Sequence, residues 1–86
     1  SLYKGSVHTA IIRVGEIFRD PIRLNASSII LAHNHPSGDP KPSHEDTHTT
    51  KLIREAGTLL DIELIGHIII GHHNFVSMKH LGLGFS

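Results

Sequence analysis

The chain contains no cysteine, which excludes a disulfide framework, a zinc finger and a thiol nucleophile. No apolar run approaches the ~20 residues needed to cross a bilayer, and no signal-peptide pattern opens the chain. The expectation is therefore a soluble, cytoplasmic protein with no membrane partner. Neither sign of charge prevails, with eight Lys and Arg against eight Asp and Glu. The wide positive footprint of a nucleic-acid-binding protein is lacking, so direct nucleic-acid binding is not supported. An initiator methionine is missing as well. The chain opens Ser1-Leu-Tyr-Lys-Gly5 and its one methionine is Met78, so it reads as a fragment truncated at the N-terminus.

What remains is one small domain of 86 residues, 38% hydrophobic and 19% charged, a globular balance. A chain of this length buries only about 60–65% of the surface its unfolded form exposes, so its core is thin. The surplus is in histidine, with nine copies. Because imidazole is the commonest transition-metal ligand, metal chemistry is the question to test.

Near-helical spacing of Ile11, Ile12, Gly15, Phe18 and Ile22 predicts a helix from a cap at Ser6 or Thr9 to about Asn25. Pro21 should kink that helix or end it at Asp20. Ile29-Ile30-Leu31-Ala32 reads as a buried strand with both faces covered. Three prolines and a glycine between Pro36 and Pro42 demand a loop. Ser43-His-Glu-Asp46 then has the form of a capping box. Leu52, Ile53, Ala56, Leu59 and Leu60 give the following helix one apolar face. Residues 62–70 form a second strand, 71–74 a turn, and Phe75 to Met78 an antiparallel return. The fold class is α/β, a small mixed sheet flanked by helices.

The first strand runs straight into His33-Asn-His35-Pro36, and side chains two apart on extended chain point the same way. Asp46, in the first turn of the next helix, can turn its carboxylate toward the same place. Two imidazoles and a carboxylate leave a fourth position open, as catalytic zinc sites do. Taken singly, each part has a plainer reading. An H-x-H pair is unsurprising among nine histidines, and a capping box alone predicts Ser43 and Asp46. Together they put four polar residues at one strand-to-helix junction.

The string His33-Asn-His-Pro-Ser-Gly-Asp-Pro-Lys-Pro-Ser43-His-Glu-Asp46 resembles the metal motif of the JAMM (MPN/JAB) metalloprotease superfamily, H-x-H-P followed by S-x-x-D. The stretch from Asn25 to Pro42, with Glu16-Ile-Phe-Arg19 before it and His67-Ile-Ile-Ile-Gly71 and Val76-Ser77-Met78 after it, resembles the bacterial RadC family. The resemblance implies a JAB/MPN-type (cytidine-deaminase-like) fold, of which residues 1–86 would be the C-terminal part. It implies zinc ligands at His33, His35 and Asp46, with Ser43 stabilising the oxyanion. The substrate would be a peptide or isopeptide-linked protein. The superfamily's general-base glutamate would lie on a strand upstream of Ser1. The DNA-repair label that RadC proteins carry finds no support in the charge. Two positions depart from the family: Gly66 stands where an aspartate is usual, and His72 and His73 occupy a turn that is usually acidic or glycine-rich. Both histidines are read as merely exposed.

His44-Glu45-Asp-Thr-His48 is also an H-E-x-x-H string, the signature of another metalloprotease class. Asp46 lies about 200° around the helix from either histidine, so one face cannot serve both sites. The second motif leaves H-x-H-P unexplained and has no third-ligand signature, so His44 and His48 are read as solvent-facing. His67, among apolar residues, is read as a hydrogen-bonded core histidine. The runner-up function is a non-catalytic, metal-containing module that docks a protein or DNA. A homodimer through a sheet edge exposed by truncation is also expected.

Overall fold

A computed structural model of the chain describes residues 13–86, and these described residues form three helices and three strands. The helix cap expected at Ser6 or Thr9, and His8, lie outside the described residues. Helix α1 spans Val14–Arg23 and buries Ile17, Phe18 and Pro21, one stripe at i, i+1 and i+4. Pro21 does not end this helix at Asp20, since α1 runs on to Arg23 with Leu24 as its cap, close to the end expected near Asn25. Pro21 falls in the last turn, where its missing N–H forgoes a single bond and its ring is buried. The end is then closed by Leu24 N donating to Asp20 O at 2.8 Å and Ala26 N to Pro21 O at 2.8 Å. Asn25, with φ of 55°, turns the chain away in the left-handed region.

The sheet has the order β1-β2-β3: Ser28–Asn34, Glu63–Ile70 and Phe75–Ser77. β1 and β2 are parallel, and β2 and β3 antiparallel, so the sheet is mixed as expected. Burial corrects the reading of β1 as covered on both faces. Ile29 and Leu31 are buried while Ile30 is 43% exposed, so among the described residues one face is covered. β2 behaves likewise, with Leu64, His67 and Ile69 inward and Ile65 exposed. Strict alternation from Leu64 would put Gly66 and Ile68 inward. An irregularity in register, Ile29 pairing Leu64 but Ile30 pairing Gly66, shifts the phase by one and turns His67 into the interior.

Helix α2, His44–Leu60, crosses between the parallel strands. Its capping box is formed in full: Ser43 Oγ accepts from Asp46 N at 3.2 Å, and Asp46 Oδ2 accepts from Ser43 N at 2.7 Å. Its inner face supplies Ile53 to a core completed by Ile17, Phe18, Ile29, Leu31, Ile62 and Leu64. A short helix α3, Met78–Leu81, follows β3 directly, capped by Ser77 Oγ accepting from His80 N at 3.1 Å. The sequence pattern predicts that the strand continues through Met78. That side chain is wholly buried at the helix start instead.

At the far end of α2, Asp61 adopts φ of 59° and Ile62 N reaches back to Gly57 O at 2.8 Å. This wrap brings the Ile62 carbonyl down onto Gly57, where a Cβ would collide with the carbonyl oxygen. Replacing glycine by alanine inside a helix ordinarily gains about 0.5–1 kcal/mol. Overpacking against backbone costs about 1–3 kcal/mol, so the clash should win. Gly57→Ala is expected to lower the unfolding free energy in urea by about 1–2 kcal/mol; an unchanged or raised midpoint would contradict this packing.

Candidate metal centre

Residues 29, 31 and 33 alternate inward along β1, and His35 continues the same side beyond the strand. His35 N donates to Ile70 O at 3.0 Å, which fastens the post-strand segment to the end of β2. The site thus forms outside the C-terminal ends of two parallel strands, where α/β proteins place their ligand crevices. The proline-rich loop is pinned from outside, His72 N donating to Gly38 O at 3.0 Å. α2 then delivers Asp46 in its first turn.

The three side chains meet. His33 Nε2 lies 3.2 Å from Asp46 Oδ1 and His35 Nε2 lies 3.2 Å from Asp46 Oδ2. One ligand atom from each of the three lies within 4.8 Å of the others, a group that could hold a metal ion. The side chains are 15%, 19% and 10% exposed for His33, His35 and Asp46, so the centre is shielded yet open to a small solute. Ser43 sits at the rim and donates its hydroxyl hydrogen to Asp46 Oδ2 at 3.0 Å. His44, Glu45 and His48 are exposed, facing away from buried Asp46, as the helical angle requires. His72 and His73 are exposed too. At Gly66 a Cβ would find ordinary contact with Ile30, so packing does not demand the glycine.

His35 has a defined proton position. Its Nδ1 is 2.9 Å from the carbonyl oxygen of Asp39. A carbonyl only accepts, so Nδ1 carries a hydrogen, and whenever the ring is neutral its lone pair is on Nε2, the atom that faces Asp46.

Behind His33 lies a group that sequence reasoning placed in the core but did not connect to the site. His67 is wholly buried, with Nε2 2.9 Å from His33 Nδ1 and Nδ1 2.6 Å from Thr50 Oγ1. Thr50, equally buried, donates its hydroxyl hydrogen to the Asp46 carbonyl at 2.9 Å. A threonine one helical turn after the carboxylate was the available signal, since i and i+4 share a face.

Burial alone would raise the Asp46 carboxyl. Contacts with His33, with the Ser43 backbone and hydroxyl, and the nearness of His35 outweigh it and hold the group well below the usual carboxylate range. Burial pushes His67 down from 6.5 to about 4, helped by neighbouring His33 and His35 and opposed by Asp46. Unfolded, His67 takes up a proton near 6.5; folded, it resists until about 4. The unfolded state therefore binds the extra proton within that window, and stability is full above it and falls as pH drops through it. Asp46 continues the loss at lower pH, because its stabilised carboxylate must be protonated. Denaturation in chelator between pH 7 and 4.5 should show His67 contributing a slope of up to about 1.4 kcal/mol per pH unit. His67→Gln should flatten the profile by that amount; an equal slope in the variant would refute the assignment.

Comparison with known proteins gives the family. The family model of the RadC-like JAB domain matches residues 1–83. A UPF0758 protein of Roseiflexus sp. (strain RS-1) is 59% identical over 85 residues, covering 99% of this chain and 36% of that protein. UPF0758 proteins of Roseiflexus castenholzii and Chloroflexus aurantiacus are 52% and 49% identical over the same length. The chain spans about a third of the length of these relatives, at 36% and 37%. With its mixed α/β architecture and its His33, His35 and Asp46 cluster, the chain belongs to the RadC family and carries that family's JAB domain.

Proposed function

We propose that the domain is a zinc-dependent hydrolase of the peptidase or isopeptidase type, with His33, His35 and Asp46 as the metal ligands. The observation that carries this reading is the convergence of two imidazole nitrogens on one buried carboxylate, His33 Nε2 and His35 Nε2 each lying 3.2 Å from an Asp46 oxygen. Two electron-rich atoms at that distance repel unless a positive charge lies between them. A proton on each ring would meet that need one contact at a time, whereas one cation meets it for both imidazole–carboxylate contacts at once. Two imidazoles and one carboxylate, with no thiolate, form a three-ligand donor set that suits zinc and leaves a position open. Bound there, zinc supplies a Lewis acid and brings the pKa of water toward ~7.

The chain's own residues have separate tasks in this reading. Asp46 brings the negative charge, already ionised by its contacts. Asp39 orients His35 through its carbonyl. Ser43 Oγ accepts the cap hydrogen bond from Asp46 N while its own hydrogen can rotate about the Cβ–Oγ bond. Turned outward, that hydrogen would stabilise negative charge developing on a substrate carbonyl oxygen. Glu16, Glu45, Glu55 and Glu63 are exposed and none joins the cluster.

Elemental analysis tests the ligand set. About one zinc per chain is expected for the purified domain. His35→Ala and Asp46→Asn should lose it, the asparagine still able to accept from Ser43 N. The pair His44→Ala with His48→Ala should keep it. Zinc lost from that pair and kept in Asp46→Asn would overturn the assignment. Chelator-sensitive cleavage of peptide or isopeptide bonds is the expected activity. A stoichiometric metal without any cleavage would favour a docking module instead.

A further inference from the structure

The two imidazoles of the site are held from behind by different devices. His35 Nδ1 meets a backbone carbonyl. His33 Nδ1 meets another imidazole, His67, which in turn meets Thr50. An imidazole can donate or accept, so the proton on His33 is not set by its neighbour alone. It is set at the far end of the chain, by Thr50.

Thr50 Oγ1 and the Asp46 carbonyl oxygen are 2.9 Å apart, and the carbonyl has no hydrogen to give. The one hydroxyl hydrogen of Thr50 must lie between them. Thr50 Oγ1 is therefore an acceptor toward His67, and His67 Nδ1 carries the hydrogen of the 2.6 Å contact. Neutral His67 then has a bare Nε2, which accepts from His33 Nδ1 across 2.9 Å. In its neutral form His33 then has its in-plane lone pair on Nε2, the atom that faces Asp46 Oδ1 at 3.2 Å. Thr50 and His67 are both 0% exposed, so water cannot replace either partner.

We propose that Thr50 and His67 are positioning residues of the metal centre, a hydroxyl–imidazole relay that fixes His33 as the Nδ1–H tautomer and keeps its Nε2 free to ligate a cation. The relay starts and ends on one residue. Thr50 is anchored to the main-chain carbonyl of Asp46, whose side chain lies beside the Nε2 atom being prepared. This inference rests on the reading of His33, His35 and Asp46 as ligands.

Thr50→Val keeps the shape and removes the acceptor. A buried Nδ1–H of His67 would then have no partner, and the favoured arrangement moves that proton to Nε2. His67 would donate to His33 Nδ1, and His33 would carry its own proton on Nε2, where a ligand needs a lone pair. Thr50→Ser restores the hydroxyl. Zinc affinity by competition with a chelating dye should fall about 10–100-fold in Thr50→Val, the range for lost outer partners of a ligating histidine. It should return to wild type in Thr50→Ser. Nitrogen-15 NMR of the chelator-treated protein at pH 8 should find His33 protonated on Nδ1 in wild type and Thr50→Ser, and on Nε2 in Thr50→Val. Wild-type affinity in a folded Thr50→Val, or a wild-type His33 protonated on Nε2, overturns the relay. Should the valine variant not fold, the wild-type spectrum and the serine variant still decide. Failure of the wild type to bind zinc would sink the ligand assignment, while the spectrum of the metal-free protein would judge the relay by itself.

Discussion

The carboxylate of Asp46 belongs to two structures at once. Its Oδ2 closes the capping box of α2 by accepting from Ser43 N and Oγ, and the same carboxylate faces the two imidazoles. The helix cannot begin elsewhere without moving the charge, and the charge cannot turn away without opening the helix end. A helix N-terminus also favours negative charge through its unpaired N–H groups. Burial would otherwise neutralise an acid, and here the cap and the histidines prevail. The anion that the site requires is thus a condition of the fold as well.

The sheet brings the other half. Parallel pairing places the ends of β1 and β2 side by side, with His35 N bonded to Ile70 O. The shift in register at Ile30 and Gly66 decides which residue of β2 looks inward at the height of the site. With regular alternation the interior would receive Ile68, and His33 would have an apolar neighbour behind it. One displaced residue therefore separates a simple apolar core from a core with a polar strand position at His67.

Much of this was legible wherever the determinant was local. The capping box needs four consecutive residues, and Ser43 to Asp46 spelled it. The H-x-H pair needs only the two-residue period of a strand, and the helix after Ser43 ends at Leu60 as its apolar stripe predicts. Non-local determinants were misread or missed. The end of α1 depends on bonds around Pro21 that composition cannot weigh. The apolar run of β1 suggests two covered faces, yet hydrophobicity alone says nothing about which partners are present. His67 was correctly read as a hydrogen-bonded core histidine, but its partners, 34 residues away at His33 and 17 away at Thr50, depend on the shifted register. For the competing H-E-x-x-H string, the helical angle shows that one face cannot serve both sites, the missing third ligand and the unexplained H-x-H-P decide against it, and the exposure of His44 and His48 agrees.

Thr50 and His67 have a cost that stability does not explain. They occupy fully buried positions beside Ile53, one turn along α2, and Ile69, two residues along β2, both also fully buried. Apolar residues of matching volume would avoid desolvating a hydroxyl and an imidazole, and buried polar groups at best break even against such replacements. A thin core has little stability to spare. Their hydrogen bonds are complete, with no buried side-chain nitrogen or oxygen left unpaired among the described residues. A satisfied network of this kind fixes one arrangement rather than maximising stability. The arrangement it fixes terminates on the ring of His33, and the polar interior is accounted for by the orientation of that ring.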